Sequence, residues 1–142
     1  MNNIDIETDY YAWTQQQAQL LRTKQINEID WPNLADEIED MGRSEKRQLE
    51  SRLEILIMHL LKWQFKPNFR SRSWQLTIKE QRLRLDKLIA ENSSLKPSLN
   101  TAIDKVYPLA TLSAERETGL SNFPNTCPYN LTDLLAANFL PY

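Results

Sequence analysis

At 142 residues, 41% hydrophobic and 25% charged, the chain has ordinary globular proportions and length enough to bury roughly 70% of the surface its unfolded form would expose. A net charge of −2 gives no overall polyanion-binding signature, and the single cysteine, Cys127, excludes an internal disulfide and a cysteine-based zinc site. With only two glycines, Gly42 and Gly119, few turns can use positive φ, which disfavours hairpin-rich β folds and favours helices with short connections.

The start, "MNNIDIETDY", is polar and acidic and reads as carrying no signal peptide. A first helix is predicted from Thr8 or Asp9, either of which can cap, with Tyr10, Trp13, Gln17 and Leu20–Leu21 on one face. "DWP" opens a second helix, capped by Asp30 and carrying Pro32 in its first turn. It is expected to run to about Met41, to bury Leu34, Ile38 and Met41, and to end or kink at Gly42. A third helix, about Ser44–Phe65, has apolar residues around more than half its circumference, including Leu49, Leu53, Leu56, Ile57 and Leu60, and belongs at the centre of a bundle. Pro67 then breaks the chain.

The fourth helix, about Ser73–Glu91, begins at a serine cap and places Trp74, Ile78, Leu85 and Leu88–Ile89 inside. A fifth, about Pro97–Thr118, turns Leu99, Ile103, Val106, Leu109 and Leu112 inward, and Pro108 must kink or split it. After an irregular run with Pro124 and Pro128, Asn130 caps a short helix "LTDLLA", and Phe139–Leu140 form an apolar tail that docks on the body. The expectation is an all-α, single-domain helical bundle over residues 1–142, with about five main helices and a short C-terminal one.

Charge is segregated along this plan. Residues 1–61 carry six cations and twelve acids, residues 62–87 eight cations and two acids, and residues 88–142 three cations and five acids. The longest apolar run, Ile55–Leu61, is far below the ~20 residues needed to cross a bilayer, so a cytoplasmic protein without a membrane partner is expected.

Four stretches together carry a family resemblance: "TDYYAW", "IDWPNLADEIEDMGRSEKRQLESRLEILIMHLLKWQF", "RSRSWQLTIKEQR" and "FPNTCPYNLTDLL…FLPY". Across essentially its whole length the chain resembles the bacterial family catalogued as domain of unknown function twenty-nine. The resemblance implies a soluble all-helical fold in one domain. That family has no established activity, so it implies no catalytic residue.

Five constellations carry chemistry on their residues alone. His59 could act as a general base if a carboxylate of another helix oriented it, but there is no second histidine, and Glu54 lies five residues before it, off its helical face. A hydrogen-bonded structural histidine is the better reading. The acids Asp36, Glu37, Glu39, Asp40 and Glu45 face either water or cations, and could hold Mg²⁺ only with help from water or phosphate.

The basic segment Lys62, Lys66, Arg70, Arg72, Lys79, Arg82, Arg84 and Lys87 is interleaved with Trp63, Phe65, Phe69 and Trp74, the mixture that single-stranded nucleic acid recognises. The same cations could instead pair with the acids of the second helix. "RSRSW" puts Arg70 and Arg72 beside a helix start, where an anion or a partner's carboxylate could sit. Cys127, between prolines and without a cation or histidine near in sequence, reads as an inert thiol.

These features favour a non-enzymatic interaction module that binds a protein partner or RNA through residues 62–87, with Lys62, Lys66, Arg70, Arg72, Arg82, Trp63 and His59 as anion- or partner-binding residues. No catalytic residue, metal ligand or cofactor is assigned. The alternative is a metal-dependent hydrolase or nuclease-like enzyme using the second helix's carboxylates with His59. A third class is a structural bundle that assembles with copies of itself.

Overall fold

A computed structural model describes residues 3–142. The fold is all-α: α1 (Tyr10–Arg22), α2 (Trp31–Phe65), α3 (Arg72–Glu91), α4 (Leu99–Thr118) and α5 (Leu131–Leu135). Short 3-10 turns at Ile26–Glu28, Pro67–Phe69 and Ser93–Ser98 lie between them, and no strand occurs among the described residues. The chain divides into two compact units, one ending at Ser44 and one spanning Glu45–Tyr142, and α2 contributes to both.

In the first unit, Asp9 caps α1 by accepting a hydrogen bond from the Ala12 N–H at 3.0 Å. Trp13, Gln17 and Leu20 are buried as the spacing predicts, whereas Tyr10 and Leu21 at the edges of that face are exposed. The helix closes with the Gln25 N–H bonded to the Leu20 carbonyl at 2.9 Å, a turn that places Lys24 at a φ of 58°. The core of this unit is tied by polar bonds. Trp13 Nε1 donates to the Asp30 carboxylate at 3.0 Å, and the Gln17 amide oxygen accepts from the Asp30 N–H at 2.8 Å.

The predicted break at Gly42 does not occur, and the second and third predicted helices are one element, α2. A glycine inside an exposed helix costs only about 1 kcal/mol relative to alanine, too little to interrupt a 35-residue helix. Arg43 adds ion pairs to Glu39 and Asp40 beside the glycine. The face expected to bury Leu34, Ile38 and Met41 is also different: Leu34 is half-buried, while Ile38 and Met41 are 60% and 67% exposed.

The second unit has a continuous aliphatic core. Leu49, Leu53, Leu56, Ile57, Leu60 and Leu61 of α2 meet Ile78, Leu85, Leu88 and Ile89 of α3, and Leu99, Ile103, Val106 and Tyr107 of α4. Phe139 and Leu140 dock on it, as the apolar tail predicts. Ser71 caps α3 through a 3.2 Å bond from the Trp74 N–H, and Asn130 caps α5 through a 2.8 Å bond from the Asp133 N–H.

α4 runs through Pro108 without splitting, because the proline stands on the exposed side of the helix. Around and beyond it the inward face is Tyr107, Ala110 and Ala114, and not Leu109 and Leu112, which are exposed. The buried positions keep three- and four-residue steps from Leu99 onward, and small alanines let the helix approach its neighbours.

Candidate functional site

The cations of residues 62–87 find most of their partners inside their own unit, and chiefly on the carbonyl ends of helices. Arg70 Nε donates to the Trp63 carbonyl in the last turn of α2 at 2.8 Å, and its Nη2 reaches the Pro141 carbonyl at 3.4 Å. Lys66 Nζ donates to the Thr118 carbonyl at the end of α4 at 3.1 Å. Arg82, 4% exposed, donates from Nε to the Leu134 carbonyl at 2.9 Å and from Nη2 to the Asp133 carbonyl at 3.2 Å, closing α5. Burial pushes the Arg82 pKa down, opposed by the charges of Asp133 and Asp86.

Carbonyls at a helix C-terminus lack intrahelical donors and carry the negative end of the dipole. A cation there satisfies both needs, so Lys66, Arg70 and Arg82 serve the fold. Lys62, 5% exposed, pairs with Glu117, and Glu39 and Asp40 pair with Arg43.

The aromatics of the segment are similarly occupied. The Lys62 ammonium lies 4.6 Å from the centre of the Trp74 ring, the Arg70 guanidinium 5.0 Å from that of Trp63, and Lys66 Nζ 4.9 Å from that of Phe69. Phe65 meets Phe123 edge to face at 5.5 Å. His59 is half-buried, and its Nδ1 contacts the Ile55 carbonyl at 2.9 Å. Burial holds its pKa below the usual histidine value, and the nearby Lys62 charge adds to that shift. Cys127 is half-buried, with its thiol on the Tyr129 carbonyl, and burial pushes its pKa up.

Among the described residues, no three or more histidine, cysteine or acidic side chains gather where they could hold a metal ion. The tyrosine hydroxyls serve packing: Tyr107 donates to the Pro124 carbonyl at 2.6 Å, its pKa raised by burial to about 12, and Tyr129 donates to Gln64 at 2.7 Å.

A different feature of the segment remains open. A groove of about 330 Å³ runs along α3 against the C-terminal tail, lined by Arg72, Leu76, Lys79, Leu83 and Asp86 on one side and by Ala137, Asn138 and Leu140 on the other. Positions 72, 76, 79, 83 and 86 recur at three and four residues, so they form one helix face, with the buried Ile78 also reaching the groove. Leu76 and Leu83 are 47% and 60% exposed. Arg72 bonds to Gln75 at 3.1 Å, and no ion-pair partner of Arg72 or Lys79 occurs among the described residues.

Of the predicted binding residues, Arg72 and Arg82 line this groove. Lys62, Lys66, Arg70, Trp63 and His59 lie elsewhere in the unit, in the contacts described above. Lys79, named in the basic segment, also lines the groove, together with Leu76 and Leu83, which the sequence reading did not single out. Their signal was present in the sequence, as two leucines seven residues apart on the side of the helix that Trp74, Ile78 and Leu85 leave to solvent.

Fold and site together define an all-helical chain in which Lys66, Arg70 and Arg82 close helix ends and α3 presents an amphipathic groove. The family model described as Domain of unknown function DUF29 matches residues 6–140, and the chain belongs to that family. No curated protein and no solved structure matches it. Among the described residues, no helix is long and apolar enough to cross a membrane.

Proposed function

We propose that the protein is a non-catalytic interaction module whose binding face is the α3 groove, and that its ligand is an acidic, amphipathic protein segment. The observation that carries this reading is the pairing of two exposed leucines, Leu76 and Leu83, with two cations lacking acid partners, Arg72 and Lys79, in one concave strip. Exposed large aliphatic side chains in a groove favour an apolar stripe of a partner helix, while the cations at its side favour carboxylates. Single-stranded RNA is the weaker reading, because base stacking needs open aromatic faces, and Trp63, Trp74 and Phe69 each have a cation beside the ring.

Fluorescence anisotropy with two probes tests the choice: a labelled helical peptide with leucines on one face and glutamates on the other, and a labelled oligouridine. The peptide should bind, more weakly as salt rises, and Lys79→Glu should weaken it by about tenfold. Binding of the oligouridine alone, unaffected by Lys79→Glu, would refute the proposal.

A further inference from the structure

The chain itself carries a segment of the chemistry this groove accepts. On the first turns of α2, Leu34, Ile38 and Met41 stand at i, i+4 and i+7, with Ile38 and Met41 exposed. Asp36, Glu37, Glu39 and Asp40 lie among them, and Asp36 has no partner among the described residues. A contiguous exposed apolar stripe on a helix marks a contact surface rather than a solvated face. Leu34 and Met41 are separated by the same seven residues as Leu76 and Leu83. That is two turns, or about 10.5 Å of helix. Two helices laid side by side would therefore bring Met41 and the half-buried Leu34 into register with Leu76 and Leu83.

Charge points the same way. Asp36, Glu37, Glu39 and Asp40 flank the stripe with Arg43 as their near cation, whereas Arg72 and Lys79, which have no ion-pair partner among the described residues, border the groove with Asp86. Opposite fields on two surfaces of one chain favour contact between unlike surfaces of two copies and oppose contact between like ones.

We infer that the occupant of the α3 groove is a second copy of this chain, which docks the Leu34–Ile38–Met41 stripe of one molecule along Leu76 and Leu83 of the other. The inference rests on the reading of the groove as a binding face. The contact is heterologous: each copy uses one surface and leaves the other available.

Sedimentation velocity over rising protein concentration tests this with two variants, Ile38→Asp/Met41→Asp in the stripe and Leu76→Asp/Leu83→Asp in the groove. All four side chains are exposed, so both variants should keep the wild-type circular dichroism spectrum. A third variant, Lys79→Glu, alters only a rim charge and guards against loss of fold in the others. Wild type should gain mass with concentration, less so at high salt. Each double variant should stay monomeric, with association weakened at least about tenfold, and Lys79→Glu should fall between.

Mixing the two double variants should restore a complex, since one keeps an intact groove and the other an intact stripe. A monomeric wild type at every concentration overturns the inference, as does a mixture of the two variants that stays monomeric. Assembly that persists in both variants overturns it equally. If the unrelated amphipathic peptide still binds wild type while the chain stays monomeric, only self-docking fails. If neither binds, the groove reading fails with it.

Discussion

The two compact units reach order by different chemistry. Among its described residues, the unit ending at Ser44 buries three apolar side chains, Trp13, Leu20 and Ile29, and surrounds them with directional bonds centred on Asp30. The unit from Glu45 onward packs leucines and isoleucines from three helices, and uses polar groups mainly to close helix ends. A short chain segment cannot bury enough apolar area to be held by packing alone, so specific hydrogen bonds must carry more of the order. Where area is plentiful, charge is released for capping, and a strongly basic stretch need not mean an external polyanion.

Mutations separate these two modes, beginning with the largest effect. Leu56→Ala, at a fully buried site in the larger unit, should cost about 2–5 kcal/mol, read as a lower urea midpoint. Arg82→Met should cost roughly 1–3 kcal/mol by leaving the Asp133 and Leu134 carbonyls without donors. Hydrogen exchange should show that loss concentrated in Leu131–Leu135. A comparable cost of about 1–3 kcal/mol is expected in the smaller unit from Gln17→Leu, which keeps apolar volume but strands the Asp30 N–H. If Gln17→Leu proved neutral, the directional-bond account of the smaller unit would be wrong.

Gly42→Ala should stabilise by about 0.5–1 kcal/mol, because a Cβ there meets nothing within 4 Å and the residue lies inside a helix. The same change at Gly119, where φ is 77°, should destabilise. The smallest effect concerns pH. His59 has a folded pKa below 6.5, so the unfolded chain binds its proton first as pH falls. Stability should decline as pH drops from about 6.5 toward the lower folded value, and His59→Gln should remove that part of the slope. Burial of the ring is the main cause of the shift, and the Lys62 and Glu117 charges act on it with opposite sign.

Much of the fold was legible because periodicity and caps agreed. Asn130 caps where the sequence placed a cap, Asp9 is one of two expected caps for α1 and Ser71 one of two serines able to cap α3, and Leu49, Leu53 and Leu60 form the expected central stripe. Three features were not legible. Gly42 reads as a stop, but its cost is small beside the cooperativity of a long helix. Leu109 and Leu112 outweigh Ala110 and Ala114 on any hydrophobicity count, yet the three- and four-residue steps from Leu99 put the alanines inside. The basic segment reads as a binding surface because capping partners such as the Thr118 and Leu134 carbonyls lie 52 residues away in sequence. The groove was hidden for a related reason, since the tail residues Ala137, Asn138 and Leu140 that complete it come from the far end of the chain.

The most direct test of the account is an amide and indole chemical-shift map of the labelled protein titrated with the acidic amphipathic peptide. Trp63 and Trp74 report on the aromatic surface independently of the groove. A binding face on α3 requires shifts concentrated in residues 72–86 and 137–140, with both indoles largely unmoved. Shifts centred on Trp63, Phe65 and Arg70 instead would contradict it and restore the basic-aromatic face as the site.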